Sequence, residues 1–281
     1  MKYTWYVGKD TMAKPDPKLA RLRRTVRSYG SAAVAFSGGA DSTLVAKIAK
    51  DELGPKAIAF TIDSPLYPRS ELLQAERVAS RIGIEHMVLR TDPMCDEAFV
   101  ANPPDRCYLC KLEDLGVIKK TADSMDLRVV VDGSNADDAR DYRPGAKAKK
   151  ELGIRSPLAE ARLTKADVRS LSKALRLPTA AKRASPCLAS RIPYGERITR
   201  EKLGMIEEAE EFLIAKGFEG VRVRLHDSIA RIEVAAKDIP RLAAPGTRIP
   251  VSRKLRSLGF AYVTLDLEGY RMGSLNEVLK R

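Results

Sequence analysis

Ala32-Ala33-Val34-Ala35-Phe36-Ser37-Gly38-Gly39-Ala40-Asp41-Ser42-Thr43 decides how this chain is read. Its first five residues are small or apolar, as a strand covered on both faces requires. Leu44-Val45-Ala46-Lys47-Ile48-Ala49 then opens a helical pattern. Between the two lies a strand-to-helix switch with two adjacent glycines, which let the backbone turn tightly and bring its N–H groups close to a ligand. The helix start adds unpaired N–H donors and the positive end of a dipole. Ser37, Ser42 and Thr43 contribute hydroxyls. A turn that merely caps a helix needs neither the buried strand nor so many polar positions. The stretch reads as an anion cradle, and it is not the G-x-x-x-x-G-K-[ST] phosphate loop, because no lysine follows the second glycine.

Outward from the cradle, strands and helices alternate. A basic amphipathic helix over about Asp16–Tyr29 precedes it, and the helix after it stops near Gly54-Pro55. Lys56–Asp63 reads as a second strand, Ser70–Ile82 as a helix ending at Gly83, and His86–Leu89 as a third strand. A long polar loop leads to Cys107-Tyr108-Leu109-Cys110 and a helix to about Met125, before a fourth strand at Arg128–Gly133. This alternation predicts an α/β fold with a doubly wound parallel sheet, whose ligands sit at the carboxyl ends of the strands. Phe36–Ser42, Thr61–Ser64 and Gly133–Asp138 should therefore converge. From Thr199 the pattern changes to an acidic helix and the alternating strands Val221–Leu225 and Ile229–Val234, with another strand at Phe260–Leu265. Such alternation suggests a small sheet with one exposed face. The expected division is residues 1–192 for the sheet domain and 193–281 for a smaller C-terminal α+β domain.

The 281 residues are 44% hydrophobic, enough for a substantial core. No apolar run approaches the ~20 residues that span a bilayer, and the start lacks a secretory signal pattern. The expectation is a cytoplasmic protein without membrane contact. Lys and Arg number 50 against 37 Asp and Glu, a net charge of +13 that attracts nucleotides or other anions. Aromatic residues are only 6%, too few for an extended base-stacking platform, so small anionic substrates fit better than nucleic acid. The four cysteines, Cys95, Cys107, Cys110 and Cys187, point in such a compartment to metal or thiol chemistry rather than disulfides.

The C-x-x-C pair Cys107 and Cys110 taken alone is ambiguous among zinc, a redox pair and an iron–sulfur ligand set. A structural zinc site needs four ligands, so Cys95 or His86 would have to close it. A cubane held by three thiolates would instead leave one iron open for chemistry. The segment Gly133–Gly145 carries acids suited to Mg²⁺ on phosphate oxygens and arginines suited to a carboxylate or phosphate.

The Ser37–Ser42 stretch resembles the SGGxDS loop of the PP-loop ATP pyrophosphatases, which split ATP between its α and β phosphates. Taken with PPDRCYLC, GSNADDARDYRPG and SPCLASRIPYGERIT, and with ARIEV and GYRMGSLNEVL near the C-terminus, the chain is similar to the LarE family of ATP-dependent sulfur transferases. That resemblance implies adenylation of a carboxylate of pyridinium-3,5-biscarboxylic acid mononucleotide and replacement of its oxygen by sulfur, in biosynthesis of the nickel-pincer nucleotide cofactor. Some members sacrifice a single cysteine, which corresponds here to Cys187. Others have two more and bind a 4Fe-4S cluster through all three, the pattern that Cys107, Cys110 and Cys187 match, with sulfide carried on the unique iron. The resemblance further implies that Ser37, Gly38, Gly39, Asp41 and Ser42 hold the ATP pyrophosphate, with Asp41 beside Mg²⁺. Thr61, Ile62, Asp63 and Gly133 should flank the adenosine through their backbones. Cys187, Asp41, Ser190 and Arg191 are the expected catalytic residues, and Arg106, Arg191, Arg222, Arg224 and Glu233 the expected substrate-binding ones. A sulfide or other sulfur donor and a homo-oligomeric assembly are the implied partners.

Three other activities compete: an iron–sulfur tRNA thiolase, an ammonia-using PP-loop ligase, and a zinc-stabilised binding module. The thiolase is the one that the basic surplus favours, and its zinc-knuckle versions need more cysteine pairs than this chain has. Bulk tRNA in a gel-shift assay separates the first: no tight, salt-sensitive complex is expected, and finding one would favour the thiolase.

Overall fold

The computed structural model describes residues 16–140, 145–183 and 185–271. Helix α1 (Pro17–Arg27) starts at Asp16, whose carboxylate accepts from the N–H of Lys18 at 2.7 Å, and it buries Leu22 and Val26. Strand β1 (Ala32–Ala35), helix α2 (Ala40–Leu53), strand β2 (Ala57–Asp63), helix α3 (Arg69–Ile82) and strand β3 (Glu85–Arg90) follow. The segment read as a polar loop holds a 3-10 turn at Pro93–Cys95 and the one-turn helix α4 (Glu97–Val100) before helix α5 (Arg106–Ser124) and strand β4 (Val129–Val131). All four strands are parallel, in the order β3-β2-β1-β4.

The sheet is covered on both faces, as a doubly wound fold requires. Ala32, Val34, Ala57, Ala59 and Val131 pack with buried residues such as Leu22, Leu44, Ile48, Ala75 and Val168. The alternate positions Ala33, Ile58, Phe60 and Val130 pack with Leu115, Ile118 and Ala122 of α5. β4 is shorter than the Arg128–Gly133 strand that the sequence suggests, and Arg155 bridges to Val131 in parallel at its end. Arg155 donates to the carbonyl of Val130 and Asp132 donates to the carbonyl of Arg155, each at 2.9 Å.

Helices α6 (Gly145–Glu151), α7 (Pro157–Glu160) and α8 (Lys165–Ala174) come next, the last opened by a capping box of Thr164 and Asp167. A 3-10 turn, Leu188–Arg191, lies in what the sequence reads as a plain loop. Helix α9 (Arg200–Ala215), strands β5 (Arg222–His226) and β6 (Ile229–Glu233), helices α10 (Ile239–Ala243) and α11 (Pro245–Ser257), and strand β7 (Tyr262–Leu265) complete the described chain. The second sheet is mixed: β5 pairs antiparallel with β6, and β6 pairs parallel with β7. β5 corrects the expectation of a strand with one exposed face. Val223 and Leu225 enter the core, but Arg222 and Arg224 are buried too, only 8% and 5% exposed. The core around this sheet also takes in Leu66, Phe99, Val100 and Leu188, which tie it to the loops above the parallel sheet. Among the described residues no helix is long and apolar enough to cross a membrane.

Two glycines set the closest chain approaches. Gly38 sits at φ +63°, where a Cβ would lie 2.8 Å from the Cα of Ala75 on α3. A Cβ on Gly133 would lie 2.9 Å from the backbone N of Ser42. These spacings hold the start of α2 against α3 and against the end of β4. Gly133→Ala should therefore cost about 1–3 kcal/mol of stability by overpacking. Gly116→Ala, inside α5 with open space around it, should instead gain about 0.5–1 kcal/mol. Urea unfolding of both variants checks the contrast.

Candidate functional site

The cradle forms where β1 ends. Its hydroxyls turn on one another: Ser37 Oγ lies 3.1 Å from Ser42 Oγ, and Ser37 N–H donates to Ser42 Oγ at 3.3 Å. Gly39 N–H donates to Ser37 Oγ at 3.4 Å, and Gly39 caps α2 without any side-chain bond. Thr43 stands apart, its hydroxyl fully buried and without a hydrogen-bond partner among the described residues. Asp41 is paired with Lys165 and accepts from Asn135 Nδ2 at 3.4 Å. Lys182 reaches the Gly38 carbonyl at 3.2 Å and Glu71 at 2.7 Å. Neither lysine stood out in the sequence, although Lys165 opens a helix directly after its capping threonine.

The strand ends converge as expected. Thr61 Oγ1 donates to the Phe36 carbonyl at 2.7 Å, and Gly133 abuts Ser42. Ile62 is half-buried beside the Phe60 side of the core. Asp63 points away from the cradle to Arg69 at 3.1 Å and Arg90 at 3.6 Å, lining a depression of about 460 Å³ with Ser64, Tyr67 and Thr91. In the loop after β4, Asp132 receives Ser134, Ser156 and Lys149. Burial works to raise its carboxyl, but Lys149 and the two hydroxyls outweigh it and hold the pKa below the ordinary range. Asp141–Pro144, part of the same motif, lie outside the described residues.

The thiols lie on the same end of the sheet. Cys107 and Cys110 occupy the first turn of α5. Burial pushes Cys107 up and Cys187 adds to the shift; Cys110 is raised by burial, then by Asp114 and Cys187. Cys187 thus acts electrostatically on both thiols of the pair. Cys110 donates to Asp114 at 3.5 Å, and that buried carboxylate also accepts from Tyr67 at 2.9 Å and Thr91 at 2.8 Å. Cys95 is exposed and donates to Asp92 at 3.6 Å. His86 is engaged by Thr61 at 2.7 Å. Among the described residues no three His, Cys, Asp or Glu side chains stand close enough to hold a single metal ion.

Buried polar contacts place these thiols. Asn102, fully buried at φ +59°, donates through Nδ2 to the carbonyls of Pro193 at 2.7 Å and Glu196 at 2.9 Å. Arg106 bonds Asn102 Oδ1 and lies 4.3 Å over the Tyr194 ring. Leu188 N–H donates to the Leu66 carbonyl at 2.7 Å. Arg191, 1% exposed, donates to the carbonyls of Pro186 and Cys187 at 2.7 and 2.9 Å and makes a two-point bond with Glu210 at 2.9 and 2.7 Å. Burial alone would lower its pKa, but Glu210 raises it. Ser190 Oγ donates to the Cys187 carbonyl at 2.7 Å. Arg224 donates to the Ser190 carbonyl at 2.8 Å and to Glu233 at 2.9 Å, and Glu233 also accepts from Arg231 at 3.0 Å. Arg222 donates to the Val221 carbonyl and lies 5.5 Å over the Tyr270 ring, its pKa depressed by burial and by Arg191. Arg191, Arg222, Arg224 and Glu233 are buried and, with the half-buried Ser190, form one basic cluster beside Cys187. Asn102, Asp114 and Glu210 join the site without any local signal in the sequence.

The asparagine synthase family model matches residues 20–102. An uncharacterized protein of Synechocystis is 45% identical over 266 residues, 95% of this chain and 99% of that protein. The pyridinium-3,5-bisthiocarboxylic acid mononucleotide synthase of Lactiplantibacillus plantarum is 39% identical over 271 residues, 96% of this chain and 98% of that enzyme. An uncharacterized protein of Methanocaldococcus jannaschii is 32% identical over 240 residues, 85% and 90% of the two chains.

The Arg191–Glu210 pair offers a direct test of how the Cys187 turn is held. Glu210→Ala leaves a buried guanidinium unpaired and should cost about 3–5 kcal/mol. The double variant Arg191→Met/Glu210→Ala should cost less than the sum of the two single changes, as coupled partners do. Denaturant titration of the three proteins measures the coupling.

Proposed function

We propose that this chain, which belongs to the LarE family of PP-loop ATP-dependent sulfur transferases, converts a carboxylate of pyridinium-3,5-biscarboxylic acid mononucleotide to the thiocarboxylate. That reaction serves biosynthesis of the nickel-pincer nucleotide cofactor. The observation that carries the reading is one short path: Lys182 touches the Gly38 carbonyl of the cradle, and the same segment runs on to Cys187.

In the first step a carboxylate oxygen attacks the α-phosphorus of ATP, the bond from that phosphorus to the bridging oxygen breaks, and pyrophosphate leaves. The N–H groups of Ser37–Ser42 and the nearby Lys165 and Lys182 stabilise the charge that develops on the leaving group. Asp41 would hold Mg²⁺ on the phosphate oxygens. In the second step hydrosulfide adds to the acyl carbon, AMP departs, and loss of the sulfur-bound proton leaves the thiocarboxylate. Arg222 and Arg224 would set the positive potential that draws the substrate phosphate, while Arg191 and Ser190 hold the Cys187 turn in place. Residues 1–192 would carry the activation step and 193–281 the substrate arginines.

Three thiols are the donor type that an iron–sulfur cluster takes. Cys107 and Cys110 have raised proton affinities, which a metal relieves by binding thiolates. Cys107, Cys110 and Cys187 would hold a 4Fe-4S cluster, which when bound supplies activated sulfur.

Anaerobically reconstituted protein should be brown, contain iron and acid-labile sulfide, and release pyrophosphate from ATP with the dicarboxylate substrate. Cys107→Ala/Cys110→Ala should lose the colour and the sulfur transfer while keeping ATP–pyrophosphate exchange. Stoichiometric zinc without iron overturns the cluster, and full activity of the double variant favours an amidating ligase.

A further inference from the structure

His86 lies on β3, separated from β1 by β2, yet it reaches the cradle by a relay. Its Nε2 is 2.7 Å from Thr61 Oγ1, and that oxygen is 2.7 Å from the Phe36 carbonyl. A carbonyl can only accept, so the single hydroxyl proton of Thr61 goes to Phe36. The hydroxyl then accepts from His86, which assigns the ring proton to Nε2. The His86 ring also meets the Phe36 ring edge-on, with centroids 5.9 Å apart and planes at 81°. His86 thus bears on Phe36 twice, on its backbone through Thr61 and on its ring directly.

The Phe36 carbonyl and the Ser37 N–H belong to one planar peptide group. Fixing the oxygen on one side fixes the direction of the N–H on the other, toward Ser42 Oγ at 3.3 Å within the hydroxyl ring of the cradle. Hydrogen bonds in series polarise one another, by roughly 10–30% per bond. A donor on the oxygen therefore makes the Ser37 N–H a stronger donor. We infer that His86 is a positioning residue of the nucleotide loop, acting through Thr61 to fix the Phe36–Ser37 peptide and, through the Ser37 N–H, the Ser42 hydroxyl of the cradle. This rests on the reading that Ser37–Ser42 binds ATP.

Calorimetric titration of the full-length protein with Mg·ATP tests it, alongside the amide NMR resonance of Ser37. Thr61→Val and His86→Phe should each weaken ATP about fivefold, the worth of one neutral hydrogen bond. The double variant should be no weaker than about tenfold, because both changes break one chain. His86→Gln, which can still present an N–H to Thr61, should restore affinity within about twofold. The Ser37 amide proton should move upfield in Thr61→Val and His86→Phe and return in His86→Gln, a signature that a mere loss of packing would not give. If His86→Phe does not fold, Thr61→Ser against Thr61→Val decides: serine keeps the hydroxyl and the affinity, valine loses both. Wild-type affinity in His86→Phe, or losses that simply add, overturn the relay alone. Absence of ATP binding by the wild type overturns the cradle reading and the relay together.

Discussion

The side-chain amide of Asn102 is the constraint on which the thiol side of the site depends. Its two N–H donors serve carbonyls more than 90 positions along the chain, and its Oδ1 takes the guanidinium of Arg106. Its own carbonyl receives the N–H of Gly195 at 2.9 Å. Asparagine is suited to the left-handed backbone found here, which branched or bulky residues resist. With the amide gone, the half-buried carbonyls of Pro193 and Glu196 would lose their partner, a loss that costs more than a surface bond. The loop leading into Cys107 and the loop leaving Cys187 are joined at this residue.

The cradle is held by a different device. Gly38 against Ala75 and Gly133 against Ser42 are contacts between backbones, and no side chain could be inserted into them without moving a helix. The interior around them is built of small residues: Ala32, Ala33, Val34, Ala57 and Ala59 are all buried. Close packing of such residues lets the strand ends approach, and it leaves little freedom for the turn they support. Lys182 and Lys165 then lie across the outer side of the turn on the Gly38 carbonyl and the Asp41 carboxylate.

What the sequence discloses follows from the range of the interaction responsible. The Ser37–Ser42 switch, its buried strand and the parallel alternation are local patterns, and they were legible. The C-x-x-C spacing was legible too, since a first helical turn brings Cys107 and Cys110 to one side. The partners of Arg191 and Arg106 were not. Their closeness to cysteines suggested substrate contact, and in the fold the guanidiniums are engaged by Glu210 and by Asn102 and Tyr194. Arg222 and Arg224 alternate with apolar residues in the manner of a solvated strand face. They are buried because Glu233, Tyr270 and the Ser190 carbonyl cover that face, and no pattern along β5 carries that information. The 3-10 turn at Leu188–Arg191 was unreadable for the same reason, its shape being imposed by long-range bonds.

The prevalence of polar clamps around the thiols has a physical reason. An apolar side chain fixes a loop only by being buried, and burial would remove the neighbouring sulfur from any substrate. Cys107 is exposed, and Cys110 and Cys187 are half-buried against the core of the second sheet, so packing alone defines their positions only in part. A two-point ion pair such as Arg191–Glu210 adds little net stability compared with apolar residues of the same shape, yet it accepts only one geometry. Its third nitrogen is bonded to the carbonyls of Pro186 and Cys187, so that geometry passes to the backbone of the cysteine. Glu210 in turn accepts from the Val223 N–H at 2.9 Å, which anchors the clamp in the second sheet. The cost of burying these charges is thereby tied to the one property a half-exposed thiol lacks, a fixed backbone.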